Sequence, residues 1–206
     1  MQLYKIKPSE LAVQVIKECT AVEAGWVNHK DDLGKETAHG ITYATSRDHE
    51  LLWPLYNWDG DMKTLPVELA YHIYYISWWR KMKLDRVAIY SPSLARLMFD
   101  FGVNAGRTTC IRELQRILTV HNRKGELYAD LEPDGYIGGL TLTAVEEYLQ
   151  QNYPKQKEKL LFHMHSARDY HYLSISLERE DNESFTNGWS DRAYNMANQD
   201  SKIMFP

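Results

Sequence analysis

Two carboxylates nine positions apart, Glu23 and Asp32, and a hydroxyl at Thr37 stand within the stretch AVEAGWVNHKDDLGKETAHGIT, residues 21–42. Glu23 follows Cys19 by four residues and Ile16 by seven, which places it at the edge of an apolar stripe near the end of a helix. Burial there disfavours the charged form, so a raised pKa and a protonated acid are expected. Asp32 falls in a polar segment bounded by glycines, where hydration and backbone donors keep a carboxylate ionised. One protonated and one ionised carboxyl group are what hydrolysis of a glycosidic bond requires: the first protonates the leaving oxygen, the second orients a water. Thr37 supplies a hydroxyl for the same water. A plainer account of these residues is also open, in which Glu23 snorkels from a helix end and Asp32 closes an Asx-turn.

Fourteen Tyr and six Trp are more aromatic surface than a core of this size needs. Sugar rings pack their C–H faces on aromatic planes, and Trp26, three residues past Glu23, is the expected platform. His39 is placed in the same cleft, whereas the run YHIYYISWW reads mainly as core. A zinc site is the competing chemistry. The stretch FHMHSARDYH offers His163, His165 and His171, yet residues two apart on a helix point to different sides, and neither CxxC nor HExxH is present. No metal is expected on that ground, and no organic cofactor either, because two carboxylates can supply both proton transfers. Cys19 and Cys110 each fall on the apolar face of an expected helix and read as buried thiols rather than as a disulfide.

The elements that must hold these groups are helical. Ser9 as N-cap, followed by Leu11, Val15, Ile16, Cys19 and Val22, marks a first helix. Periodicity vanishes from Asn28 to Gly40, a loop with a short hairpin around Thr37 to Thr42. Helical signals resume over Tyr43 to Leu52, Pro66 to Trp79 and Pro92 to Asn104, the last two opening on Pro at or near N1. Beyond Gly106 follow a helix through TTCIRELQRILTV, a turn at EPDG, and helices over Thr141 to Gln150, 156–178 and 184–198. Asp100 and Asn104, one turn apart at a helix end, share a face that reaches the cleft or else a local hydrogen-bond network. The expected class is mainly α, with two lobes, 1–104 and 105–206, packed without a linker.

The 206 residues suffice for such a body, and 44% apolar composition is that of a globular chain. With 24 basic against 28 acidic side chains the net charge is only −4, which argues against nucleic acid as the partner. The first residues contain no apolar run of signal-peptide length, and no segment approaches the roughly 20 apolar residues of a membrane span. Synthesis in the cytoplasm without a membrane anchor is expected.

The segment EAGWVNHKDDLGKETAHGIT resembles the N-terminal signature of glycoside hydrolase family 108, the phage and prophage N-acetylmuramidases. Glu23, Gly25, Val27, Asn28, Asp32, Gly34, Thr37, Gly40, Ile41 and Thr42 all fall on the family pattern. Departures are Ala24 for the first Gly, Trp26 for Tyr, Lys35 for a loop Gly and His39 for a usual aromatic. LMFDFGVNAG, CIRELQRIL, DGYIGGLTLTAV and FTNGWSDRAYNM are similar to later segments of the family, so the likeness runs from residue 11 to 196. The resemblance implies a lysozyme-like fold and a second lobe of peptidoglycan-binding type. It implies Glu23, Asp32 and Thr37 as the catalytic set, with Trp26, Asn28, His39, Asp100 and Asn104 as substrate contacts. The implied reaction is hydrolysis of the β-1,4 bond between N-acetylmuramic acid and N-acetylglucosamine, with inversion. A monomer is expected, released by a holin to the cell wall or periplasm for host lysis. Two other classes stay open: a wall-binding protein without catalysis, and a zinc amidase or peptidase using the histidines.

Overall fold

A computed structural model describes residues 8–22, 25–28, 36–151 and 155–204. Among the described residues helices dominate, accompanied by one three-stranded antiparallel sheet. The chain forms two compact units, Met1–Arg80 and Lys81–Pro206.

In the first unit, α1 (Glu10–Val22) starts where expected: Ser9 Oγ accepts a bond from the Ala12 N–H at 3.2 Å, satisfying a donor that has no partner within the helix. Its buried stripe is Ala12, Val15, Ile16 and Cys19, with Leu11 only half-buried. Three strands follow, β1 (Trp26–Asn28), β2 (Glu36–Ala38) and β3 (Ile41–Thr42), in the order β1-β2-β3. The β2–β3 hairpin fulfils the expected one, whereas β1 is an addition to it. The expected helix over Tyr43 to Leu52 is shorter. α2 (Tyr43–Arg47) stops, and Glu50–Tyr56 winds as a 3-10 helix containing Pro54, which lacks the N–H that an α-helical turn would use. α3 (Val67–Tyr74) continues into a π turn at Tyr75–Trp79, where the Arg80 N–H reaches back to Tyr75 O at 2.9 Å. Leu69, Ile73 and Tyr74 of α3 are fully buried, and α3 packs on α1. Ala38 of β2 and Ile41 of β3 are buried too, and the burial of such apolar side chains, roughly 1.5–3 kcal/mol for a large one, ties the short strands to this unit's core.

The second unit opens with the short α4 (Leu84–Ala88) and then α5 (Pro92–Ala105), capped by Ser91 Oγ, which accepts from the Leu94 N–H at 3.2 Å. α5 contributes Leu94, Leu97, Met98, Phe99 and Phe101 to the core and packs against α4, α6 (Arg107–Val120) and α8 (Gln156–Glu178). That packing is why the compact unit begins at Lys81, earlier than the expected lobe boundary at 104/105. α7 (Gly139–Gln150) and α9 (Glu183–Met204) complete the set. α9 runs past the expected end at 198 because Asp200 and Met204 are buried and anchor its last turns. The class is the expected one, mainly α and lysozyme-like with a hairpin after the first helix. Among the described residues no helix is long and apolar enough to cross a membrane.

Candidate active site

Glu23 and Asp32 lie outside the described residues, and the structure frames them by what stands on either side. α1 ends at Val22, immediately before Glu23. Gly25 then turns the chain with φ +108°, a left-handed value that favours glycine, into β1. The connection from β1 to β2, residues 29–35, contains Asp32 in sequence. The β2–β3 turn is two residues long, His39 and Gly40, both with positive φ (50° and 73°), the geometry that matches the twist of paired strands. Its backbone is strapped on two sides. The His39 N–H donates to Gly25 O at 3.1 Å, and Tyr74 Oη of α3 donates to His39 O at 3.1 Å. His39 therefore has a backbone duty, with its half-buried side chain at the hairpin tip.

Strand register sorts the other candidates. Trp26 opposes Ala38, which opposes Ile41, while Val27 opposes Thr37, which opposes Thr42. Because side chains alternate, Thr37 shares a face with Val27 and Thr42, away from the buried Ala38 and Ile41. Thr42 spends its hydroxyl on capping α2, accepting from the Thr45 N–H at 3.1 Å. Asn28 pairs with Glu36 across β1 and β2. Trp26 is 41% exposed, yet its ring is held: the indole Nε1–H donates to Glu36 Oε1 at 3.0 Å, and Lys63 Nζ lies 5.2 Å from the ring centroid. A cation on one face and a carboxylate at the edge hold an aromatic plane in a single orientation. Sequence reasoning found Trp26 but neither Glu36 nor Lys63. Glu36 was detectable as the diagonal strand partner once β1 is known; Lys63, 37 positions from Trp26, has no local signal.

The two candidates of the second unit are placed differently from the expectation that they face sugar. Asp100 is 4% exposed, with Oδ2 accepting from Arg168 at 2.8 Å and Oδ1 from Arg192 at 2.7 Å. Asn104 Nδ2 donates to Asp100 O at 2.8 Å, so their shared face is realised as a local helix-end bond. The cluster continues through His165, whose Nδ1 faces Arg168 at 3.2 Å and whose Nε2 faces Asp200 at 3.1 Å. A guanidinium only donates, so Nδ1 accepts and the proton sits on Nε2, directed at Asp200. Arg96 closes the chain on Asp200 at 3.1 Å. This is a buried ion-pair core binding α5, α8 and α9.

The three histidines considered for a metal have separate surroundings. His163 lies against His121 at 5.0 Å between ring centroids, His165 belongs to the ion-pair cluster, and His171 packs near Phe101. Among the described residues no group of three potential ligands gathers. Cys19 and Cys110 are buried thiols. Burial pushes the Cys110 thiol far above its ordinary range, which leaves it unreactive.

Comparison with known proteins assigns the two halves. Residues 16–106 match the family model described as glycosyl hydrolase 108, a range that contains Glu23, Asp32, Thr37 and Trp26. Residues 109–194 match the model described as a predicted peptidoglycan domain. The solved structure of Brucella abortus SagA is similar over 95% of this chain and 96% of that one, at 20% identity and a TM-score of 0.67, and at that identity the likeness is one of fold. No curated protein matches the sequence significantly. The chain therefore carries a glycosyl hydrolase 108 domain at residues 16–106, followed by a predicted peptidoglycan domain at 109–194.

Proposed function

We propose that this peptidoglycan-degrading glycosidase is an N-acetylmuramidase, cleaving the β-1,4 bond between N-acetylmuramic acid and N-acetylglucosamine. The observation that carries the reading is that the glycosyl hydrolase match spans the helix end and hairpin on which Glu23, Asp32 and Thr37 were singled out for glycosidic chemistry. In this reading Glu23 protonates the leaving oxygen, Asp32 orients the attacking water and Thr37 holds it, so that no metal is needed. Trp26, fixed between Glu36 and Lys63, is in this reading a sugar platform on the sheet face opposite Thr37, for a ring further along the glycan strand, with Asn28 and His39 as further contacts. The proposed functional lobes are 1–104, catalytic, and 105–206, peptidoglycan-binding. The setting is lysis of a bacterial host, with a monomeric enzyme produced in the cytoplasm and released to the wall by a holin. Mass spectrometry of digested peptidoglycan tests the bond: reducing N-acetylmuramic acid ends are expected. Reducing N-acetylglucosamine or free stem peptides would replace the assignment.

A further inference from the structure

In the second unit, the loop before α7 is built far more rigidly than a surface connection requires. Gln115 of α6 is 2% exposed and holds it at several points. Its Oε1 accepts from the Gly135 N–H at 3.0 Å, and its amide N–H groups are shared among Asp134 Oδ1 at 2.8 Å, Tyr136 O at 3.1 Å and Thr141 Oγ1 at 3.2 Å. Asp134 Oδ1 also accepts from the Tyr136 N–H at 2.8 Å. The Gln115 amide and this backbone N–H hold the Asp134 carboxyl below the usual carboxylate range. Gly135, at φ +77°, sits where a Cβ would meet Thr108 Cγ2 at 2.5 Å, so the backbone is pressed onto α6.

The product of this framework is an aromatic ring turned outward. Tyr136 is 62% exposed, and Lys83 Nζ stands 5.3 Å from its ring centroid. Lys83 itself has φ +50°, a left-handed conformation uncommon for a side-chain-bearing residue and enriched at functional positions. Its ammonium forms no ion pair with a carboxylate among the described residues. The arrangement repeats in kind what the first unit does with Trp26 and Lys63: an exposed ring with a lysine against one face. A plane for a sugar and a cation for an acid together fit a glycan that bears carboxylates, which a neutral N-acetylglucosamine polymer does not.

We propose that Tyr136 and Lys83 form a glycan-binding subsite of the second unit, Tyr136 stacking on a sugar ring and Lys83 pairing with a carboxylate of the stem peptide attached to muramic acid. This rests on the peptidoglycan reading above. A backbone already fixed beneath the ring reduces the ordering entropy lost on binding, which is the advantage of the Gln115 framework.

Co-sedimentation of the full chain with purified peptidoglycan sacculi in the cold, where digestion is slow, tests it. Tyr136→Ala should weaken binding by roughly three- to tenfold, the worth of one aromatic contact, and Tyr136→Phe should restore it. Lys83→Gln should weaken binding to intact sacculi, yet bind sacculi whose carboxylates have been capped as amides with carbodiimide and methylamine no worse than the wild-type chain does. It is an independent arm that leaves the loop intact. Thermal melts establish that each variant is folded. If the wild-type chain does not sediment at all, the peptidoglycan reading itself fails. If it sediments and folded Tyr136→Ala and Lys83→Gln sediment equally well, the subsite alone is overturned.

Discussion

At the scale of the residue, the proposed division of labour separates three side chains by chemistry. Glu23→Gln keeps shape but cannot donate a proton, so a folded variant should lose at least about 10²-fold in rate of peptidoglycan digestion. Retention of more than about a tenth of wild-type activity would remove Glu23 as sole acid. Thr37 offers the water a single hydrogen bond, so Thr37→Val should slow turnover less than Asp32→Asn, with affinity for glycan nearly unchanged. Were Asp32 only the closure of an Asx-turn, the asparagine would preserve the turn and the rate alike. Stereochemistry adds a further reading, because inversion goes with carboxyl groups about 6.5 to 9.5 Å apart and retention with about 5 to 5.5 Å. Proton NMR of a soluble glycan fragment during digestion should show the α-anomer first. Initial β-anomer would mean retention.

Elements carry the next set of consequences. The Asp100 carboxylate is held between Arg168 and Arg192, and Arg168 is fully buried, so α5, α8 and α9 meet at a charge that no water screens. Asp100→Ala leaves two guanidinia facing a void and should destabilise the second unit by about 3–5 kcal/mol in urea titration. A sugar contact at Asp100 would show the opposite pattern, weaker glycan affinity with unaltered stability. The loop before α7 makes a sharper geometric demand. Gly135→Ala places a Cβ against Thr108 in a left-handed backbone, and a loss of about 2–4 kcal/mol is expected from strain and overpacking together.

For the molecule as a whole, histidines set how stability responds to acid. Burial holds His72, His121 and His171 below the ordinary imidazole range, with His163 and Lys159 adding to the effect at His121 and Glu113 and Glu178 opposing it at His171. For a group lowered in the folded state, the unfolded chain takes up the proton first as pH falls. Stability is therefore fully present above the ordinary value of about 6.5 and declines as pH drops from there through the lowered folded values. Urea midpoints measured from pH 7.5 downward should fall over that window, and His121→Gln should flatten the slope. A flat profile in the wild-type chain would contradict the burial argument.

Much of this architecture was legible in local sequence. Helices announce themselves through apolar positions three and four apart, through a cap such as Ser9 and through an N1 proline such as Pro92, because their hydrogen bonds join near neighbours. The hairpin was legible for the same reason, His39-Gly40 being short-range turn chemistry. Trp26 as a candidate platform and Glu23, Asp32 and Thr37 as a candidate catalytic set were readable from residue types and spacing. What tertiary structure alone decided is the set of partners distant in sequence. β1 joins the hairpin across the 29–35 connection, Lys63 settles over Trp26, and Asp100 turns inward to Arg168 and Arg192 rather than outward to a ligand. The Asp100 pattern on α5 is equally compatible with a surface carboxylate or a buried one. Only the packing of α8 and α9 against that helix brings two guanidinia within reach and makes the buried charge affordable, and no periodicity along one strand of sequence encodes which of two helix faces a later helix will cover.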